Sequence, residues 1–212
     1  MLKNTGWFFF AFFAIAIGLY PLSYYFFNMS KGLFSSKPSE LLLNIVWKSF
    51  FYTHISFGGV ALLTGWSQFS KKLRDRKLLL HRRIGKVYVS SVILSGVAGL
   101  YVACFSTGGL ITHFGFGILA FLWLLTTVKA FITIRQGNIN AHQNWMIRSY
   151  ALCFAAVTLR LWIPVFQIIF QMEFNPAYQV ISWLCWVPNL MVAELIIRNK
   201  NNAMPVTDAA II

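Results

Sequence analysis

Apolar residues fall along this chain in six blocks, at 6–27, 47–69, 87–105, 112–134, 145–170 and 177–197, separated by polar or turn-forming stretches. A helix rises ~1.5 Å per residue and a hydrocarbon core is ~30 Å thick, so about 20 apolar residues make one span. No polar run is long enough to enclose a core of its own. The pattern therefore predicts an all-α fold, a polytopic membrane protein built as a six-transmembrane-helix bundle. It forms a single transmembrane domain over residues 1–212, with a short cytoplasmic tail at 199–212 that carries Pro205 and Asp208.

Composition agrees, since 58% of residues are hydrophobic and only 11% charged, against ~25% charged in an average soluble domain. The net charge of +13 would suit a nucleic-acid binder if it were spread over a surface, but its distribution tracks topology instead. Lys71, Lys72, Arg74, Arg76, Lys77, Arg82, Arg83 and Lys86 crowd one connection, and Lys129, Arg135 and Arg148 flank the next on the same side. The connections after the third and fifth blocks carry only Glu173. Because Lys and Arg are retained on the cytoplasmic side, both termini are expected in the cytoplasm, in a cell membrane of bacterial inner-membrane type. Lys3, Arg198 and Lys200 fit this orientation, whereas Lys31, Lys37 and Lys48 run against it. No nucleic-acid partner is expected. The expected partners are membrane lipids, with anionic headgroups on the stretch from Lys71 to Lys86.

The first block follows Lys3 as a signal peptide would, but it is long and has no small-residue cleavage site, so it reads as a retained helix. Cys104, Cys153 and Cys185 lie inside blocks without CxxC spacing and read as small buried residues. No phosphate-binding loop, HExxH, catalytic triad or carboxylate pair is present, which leaves hydrolysis and nucleotide-driven transport without support.

The four histidines fall one to each central block: His54, His81, His113 and His142. In the expected orientation His54 and His113 lie toward the outer face, and His81 and His142 at the cytoplasmic end. Gly58, Gly85 and Gly117 follow the first three by four residues, on the same helix face, while His142 is followed by Met146. A neutral imidazole is a good axial ligand for haem iron, and a porphyrin needs small residues where it meets a helix. Two pairs, His54 with His113 and His81 with His142, would hold two haem b groups as an electron path across the membrane. Depth is the test of the outer pair, because His54 lies about 23 Å and His113 about 30–33 Å from the cytoplasmic ends of their helices: tilt absorbs a difference of one turn, and two turns would break the pair. The bland alternative is that His81 and His142 are interfacial residues and His113 a helix-start residue.

Arg160 is the strongest single oddity, a guanidinium inside Ala155, Ala156, Val157, Thr158, Leu159, Leu161 and Trp162. A charge at that depth is costly unless paired. A haem propionate, a lipid phosphate or an anionic substrate would suit its bidentate fork, while snorkelling to backbone carbonyls is the plain alternative. Arg148 is a second candidate propionate partner. Glu194, four residues before Arg198, reads as half of a local helix-end pair.

His81, Arg82, Arg83, Ile84, Gly85, Lys86, Val87, Tyr88 and the run from Ala141, His142, Gln143 and Asn144 to Leu152 resemble the bacterial family of predicted membrane proteins called domain of unknown function 2306. The segment from Ala155 to Leu161 and the stretch from Gly59 to Phe69 also resemble it. Gln143 stands where that family commonly has Arg. The resemblance implies a membrane protein and little about its role. A looser resemblance of layout, to six-helix two-haem b-type cytochromes, implies an electron carrier with a quinone or other redox partner. Any enzymatic activity would then be that of an oxidoreductase. Two readings stay open: that electron carrier, and a non-enzymatic transporter, lipid- or small-molecule-binding protein or scaffold in which Arg160 and the outer histidines line a cavity.

Overall fold

The structure is a computed structural model that describes residues 4–26 and 36–202. Lys3 and Lys31, the end of the first block at Phe27, and the tail with Pro205 and Asp208 lie outside the described residues.

Helix α1 (Asn4–Leu19) passes through a 3-10 turn at Tyr20–Leu22, set by Pro21, into the short α2 (Ser23–Phe26). After α3 (Ser39–Leu43), the Asn44 side chain accepts from Val46 N at 2.9 Å and Trp47 N at 3.1 Å, starting α4 (Ile45–Gly65). A 3-10 turn at Trp66–Phe69 leads to α5 (Lys71–Arg76), capped by Ser70, and then to α6 (Leu78–Ala103). Gly108 and Gly109, at φ 103° and 73°, supply the left-handed backbone that turns the chain into α7 (Leu110–Arg135). Asn138 caps α8 (Ile139–Cys153), which continues as α9 (Ala155–Pro164) and a π-helical turn at Val165–Ile169 beyond Pro164. Helices α10 (Phe174–Leu184) and α11 (Val187–Asn202) complete the bundle.

No strand occurs among the described residues, and the protein is an all-α membrane bundle. Among the described residues five segments are long and apolar enough to cross a membrane: Thr5–Phe26, Leu78–Ala103, Leu110–Arg135, Ile139–Ile169 and Phe174–Asn202. This corrects the expected six. The missing one is α4, whose 21 residues have the length of a span, about 31 Å, but include Lys48, Tyr52, Thr53, His54 and Ser56. Those polar groups lower its hydropathy, and packing between α1 and α6 shields part of it. Several expected boundaries also move. Helix α6 begins nine residues before the predicted 87, so His81 lies inside it, and α11 continues through Asn199 to Asn202 rather than ending at 197.

Helix α4 packs most closely on α6, α8 on α7, and α6 on α7, so these four form the centre. Large apolar side chains such as Phe8, Phe12, Phe114, Phe121 and Leu195 point outward, where hydrocarbon is an adequate solvent for them. Inside, contact depends on small residues. A Cβ on Gly59 would come within 2.6 Å of Gly18 O, so α1 and α4 meet backbone to backbone. Tyr88, Ser149 and Thr127 join α6, α8 and α7 through buried hydroxyl contacts of 2.7 Å each. Asn189 bridges the breaks at Phe154 and Cys185, its Nδ2 donating to Cys185 O at 3.0 Å, Thr158 Oγ1 at 3.1 Å and Ala151 O at 3.3 Å. Buried carbonyls left over by an interrupted helix need such a donor where water is excluded.

Candidate functional site

A cavity of about 230 Å³ opens between the helices, with walls from α1, α4, α6, α7, α9 and α10. Most of its surface is apolar, from residues such as Phe51, Leu62, Phe116, Leu119 and Leu159. Among the described residues three basic side chains, Lys37, His54 and Arg160, also line it, and no Asp or Glu does.

Arg160 projects from α9, where Nη1 donates to Ala156 O at 2.8 Å in the preceding turn. Its guanidinium carbon sits 4.5 Å from the centroid of the Tyr20 ring, a contact worth about 2 kcal/mol when desolvated. A guanidinium has five donors, and one carbonyl and one ring face do not replace a carboxylate. The sole ion pair among the described residues is elsewhere. Arg160 is thus partly satisfied by a backbone carbonyl one turn back along its own helix and by the Tyr20 ring, while no carboxylate among the described residues pairs with its charge.

His54 is fixed by α6. Ser95 Oγ donates to His54 O at 2.8 Å, which leaves the His54 Nδ1 proton to go to Ser95 O at 2.9 Å. Nε2 is then the lone-pair atom. The ring lies against Gly99, where a Cβ would come within 2.9 Å of Nδ1. Gly58 serves a different end: a Cβ there would meet Ser95 Oγ at 3.2 Å. Gly85 faces Gln68 Oε1, and a Cβ on Gly117 would meet nothing within 4 Å. The regular His/Gly spacing therefore does not mark a shared site, and Gly99, which does matter, lies outside it.

Lys37 reaches the cavity from the chain before α3, its Nζ donating to Phe105 O. Burial pushes its pKa down to about 8. Sequence placed Lys37 in an unremarkable loop, and no local pattern could have shown that α6 ends beside it.

The histidines do not assemble as two haem clamps. His113 spends Nε2 on Ser106 O at 3.0 Å and does not line the cavity. His113 meets Ser106, beyond the end of α6 at Ala103, whereas His54 meets Ser95 within that helix, so the two rings stand at different depths. His142 donates from Nδ1 to Ala130 O at 2.8 Å, and His81, within electrostatic range of it, lies at the opposite end of α6 from Ser106. The cavity is also below the ~300–1,000 Å³ usual for larger ligands and cofactors. Arg148 does not serve as a propionate partner either. Its Nε and Nη2 donate to Glu194 Oε1 and Oε2 at 2.5 and 2.8 Å, and its guanidinium lies 4.6 Å from the Trp145 ring centroid. The residues present do not fit two bis-histidine haems.

The pairing of Arg148 with Glu194 also replaces the expected pair of Glu194 with Arg198. Glu194 is 49% exposed, so solvent screens the fork. A double-mutant cycle of Arg148→Gln with Glu194→Gln, read by thermal unfolding, is expected to give a coupling of about 1 kcal/mol or less. A value several times larger would mean the pair is desolvated.

Comparison with curated proteins finds no match, and neither does comparison with solved structures. The family described as Predicted membrane protein (DUF2306) matches residues 51–197, a stretch that holds His54, Ser95, Gly99 and Arg160 but excludes α1 and Lys37. On that match the chain belongs to this family of predicted membrane proteins.

Proposed function

We propose that this protein binds, and carries or presents, a small amphipathic anion inside the membrane. The carrying observation is the Arg160 guanidinium, uncompensated by any carboxylate among the described residues, beside an apolar cavity. An anionic headgroup would take the free edge of the fork bidentately, and the apolar walls would take a short tail. At about 30 Å³ per water-sized group, the cavity holds on the order of eight such groups, so octanoate is a fitting probe. His54 Nε2 offers an acceptor for a ligand hydroxyl. With the basic stretch from Lys71 to Lys86 toward the cytoplasm, the Lys37 side of the cavity faces outward, and the ligand enters from that face.

The experiment uses protein in phosphatidylcholine nanodiscs and compares octanoate with octanol by thermal shift and dialysis. Octanoate should stabilise saturably, and octanol should not. Lys37 adds a pH signature. Its folded pKa of about 8 lies below the ordinary 10.5, so its positive charge is mostly present at pH 7 and lost as pH rises through about 8. Arg160 and a carboxylate keep their charges over this range. Octanoate affinity is therefore expected to fall several-fold between pH 7 and pH 9.5, and Lys37→Met should remove that dependence. An unchanged pH profile in Lys37→Met would exclude Lys37 from the site. Without ligand, stability should rise between pH 8 and 10.5, where the unfolded chain still binds the proton that folded Lys37 has released.

A further inference from the structure

A second assembly of basic groups forms at the opposite end of the bundle, independent of the cavity. Arg74 comes from α5, His81 and Arg82 from the first two turns of α6, His142 from the first turn of α8, and Lys200 from the last turn of α11. Arg74 is half-buried and held by Nη1 donating to Gln68 O at 3.3 Å. Lys200 is half-buried and donates from Nζ to Asn140 Oδ1 at 2.8 Å and Asn144 Oδ1 at 3.1 Å. Tyr88 and Ser149, joined at 2.7 Å, each stand two turns beyond His81 and His142 on α6 and α8; Lys200 bonds to Asn140 and Asn144 on either side of His142, and Gln68, which holds Arg74, faces Gly85 one turn beyond His81.

Like charges drawn together from separate helices repel one another, and a folded protein keeps such a cluster only with compensation. No carboxylate compensates this one: among the described residues the single ion pair is Arg148 with Glu194, and Asp75 beside Arg74 is exposed and makes none. The acceptors on Lys200 are neutral amides. His81 Nδ1 is buried and has no hydrogen-bond partner. Donors are in excess of acceptors, and the surplus is positive.

From this convergence we infer that Arg74, His81 and Lys200 form a discrete binding site for a phosphate-bearing anion. Arg supplies the planar fork, Lys a point charge, and His81 a further ring nitrogen. The phosphate is that of a lipid headgroup or a free phosphate, and the two sources separate experimentally.

The test uses the full chain in phosphatidylcholine nanodiscs, with phosphatidylglycerol added to the bilayer in one arm and inorganic phosphate added to the buffer in the other. A rise in melting temperature with phosphatidylglycerol alone identifies a headgroup, and a rise with inorganic phosphate identifies the free anion. In either case Arg74→Gln with Lys200→Gln should lose more than half of the shift. Lys71→Gln with Lys72→Gln, exposed on α5, should keep it. The inference is overturned by no shift in either arm, by an unchanged shift in the Arg74 and Lys200 variant, or by an equal loss in the Lys71 and Lys72 variant, which would mean a diffuse basic surface. If the double variant does not fold, Arg74→Gln alone carries the same comparison.

Discussion

Replacing Arg160 with leucine is expected to lower octanoate affinity by ten- to a hundredfold while leaving the folded protein as stable as before, or more so. Hydrogen bonds to charged groups are worth about 1.5–3 kcal/mol, and each 1.4 kcal/mol is tenfold in affinity, so removal of the fork sets the size of the loss. The stability half follows from desolvation. Arg160 has only Ala156 O and the face of Tyr20 as compensation, and exchanging a buried charge without a counter-ion for an apolar side chain relieves a penalty. A residue kept for packing or topology would behave oppositely, destabilising the fold when removed. Arg160→Lys retains the charge without the planar fork and should fall between. Unaltered octanoate binding in Arg160→Leu would remove the basis of the proposed function.

The largest structural effect is expected at Gly59→Val. A Cβ there would approach Gly18 O to 2.6 Å and Pro21 Cγ to 3.1 Å, so backbone must move. Overpacking of this kind costs about 1–3 kcal/mol. Because Ile17, Pro21 and Tyr24 form one wall of the cavity and Tyr20 covers Arg160, displacing α1 should reduce octanoate binding as well as melting temperature. Gly117→Ala is the matched control: a Cβ there meets nothing within 4 Å, and Ala favours the helix by up to about 1 kcal/mol. A milder effect at Gly59 than at Gly117 would mean that α1 does not seat on α4 through this contact.

Much of the fold was legible because solvent dictates it: a membrane admits only helices and closed barrels, whose backbones are satisfied, and long apolar runs announce the helices. The exception, α4, is instructive, since some of its polar positions meet other parts of the protein, His54 in the cavity wall and Ser56 against Tyr25, while Lys48 is exposed. The break at Phe154 gave no local signal because its compensation comes from Asn189, 35 residues later, whereas the break at Cys185 is met by the same side chain four positions on. The site was half legible. Arg160 stood out because a charge in a hydrophobic run has to be explained, and the cavity beside it accords with that. The outer pair of His54 with His113 finds no support, because spacing shows which helix a residue occupies and not which atom it bonds, so the carbonyl that takes up Nε2 of His113 was invisible, whereas His81 and His142 do lie within electrostatic range of each other. Lys37, Tyr20 and Ser95 entered through contacts between elements distant in sequence.

Equilibrium dialysis of labelled octanoate at pH 7, with protein-loaded and empty phosphatidylcholine nanodiscs side by side, tests the central claim most directly. The account predicts one saturable site per chain, present only with protein, displaced by decanoate and untouched by octanol. Uptake that never saturates, or that octanol displaces as well as decanoate does, would contradict it.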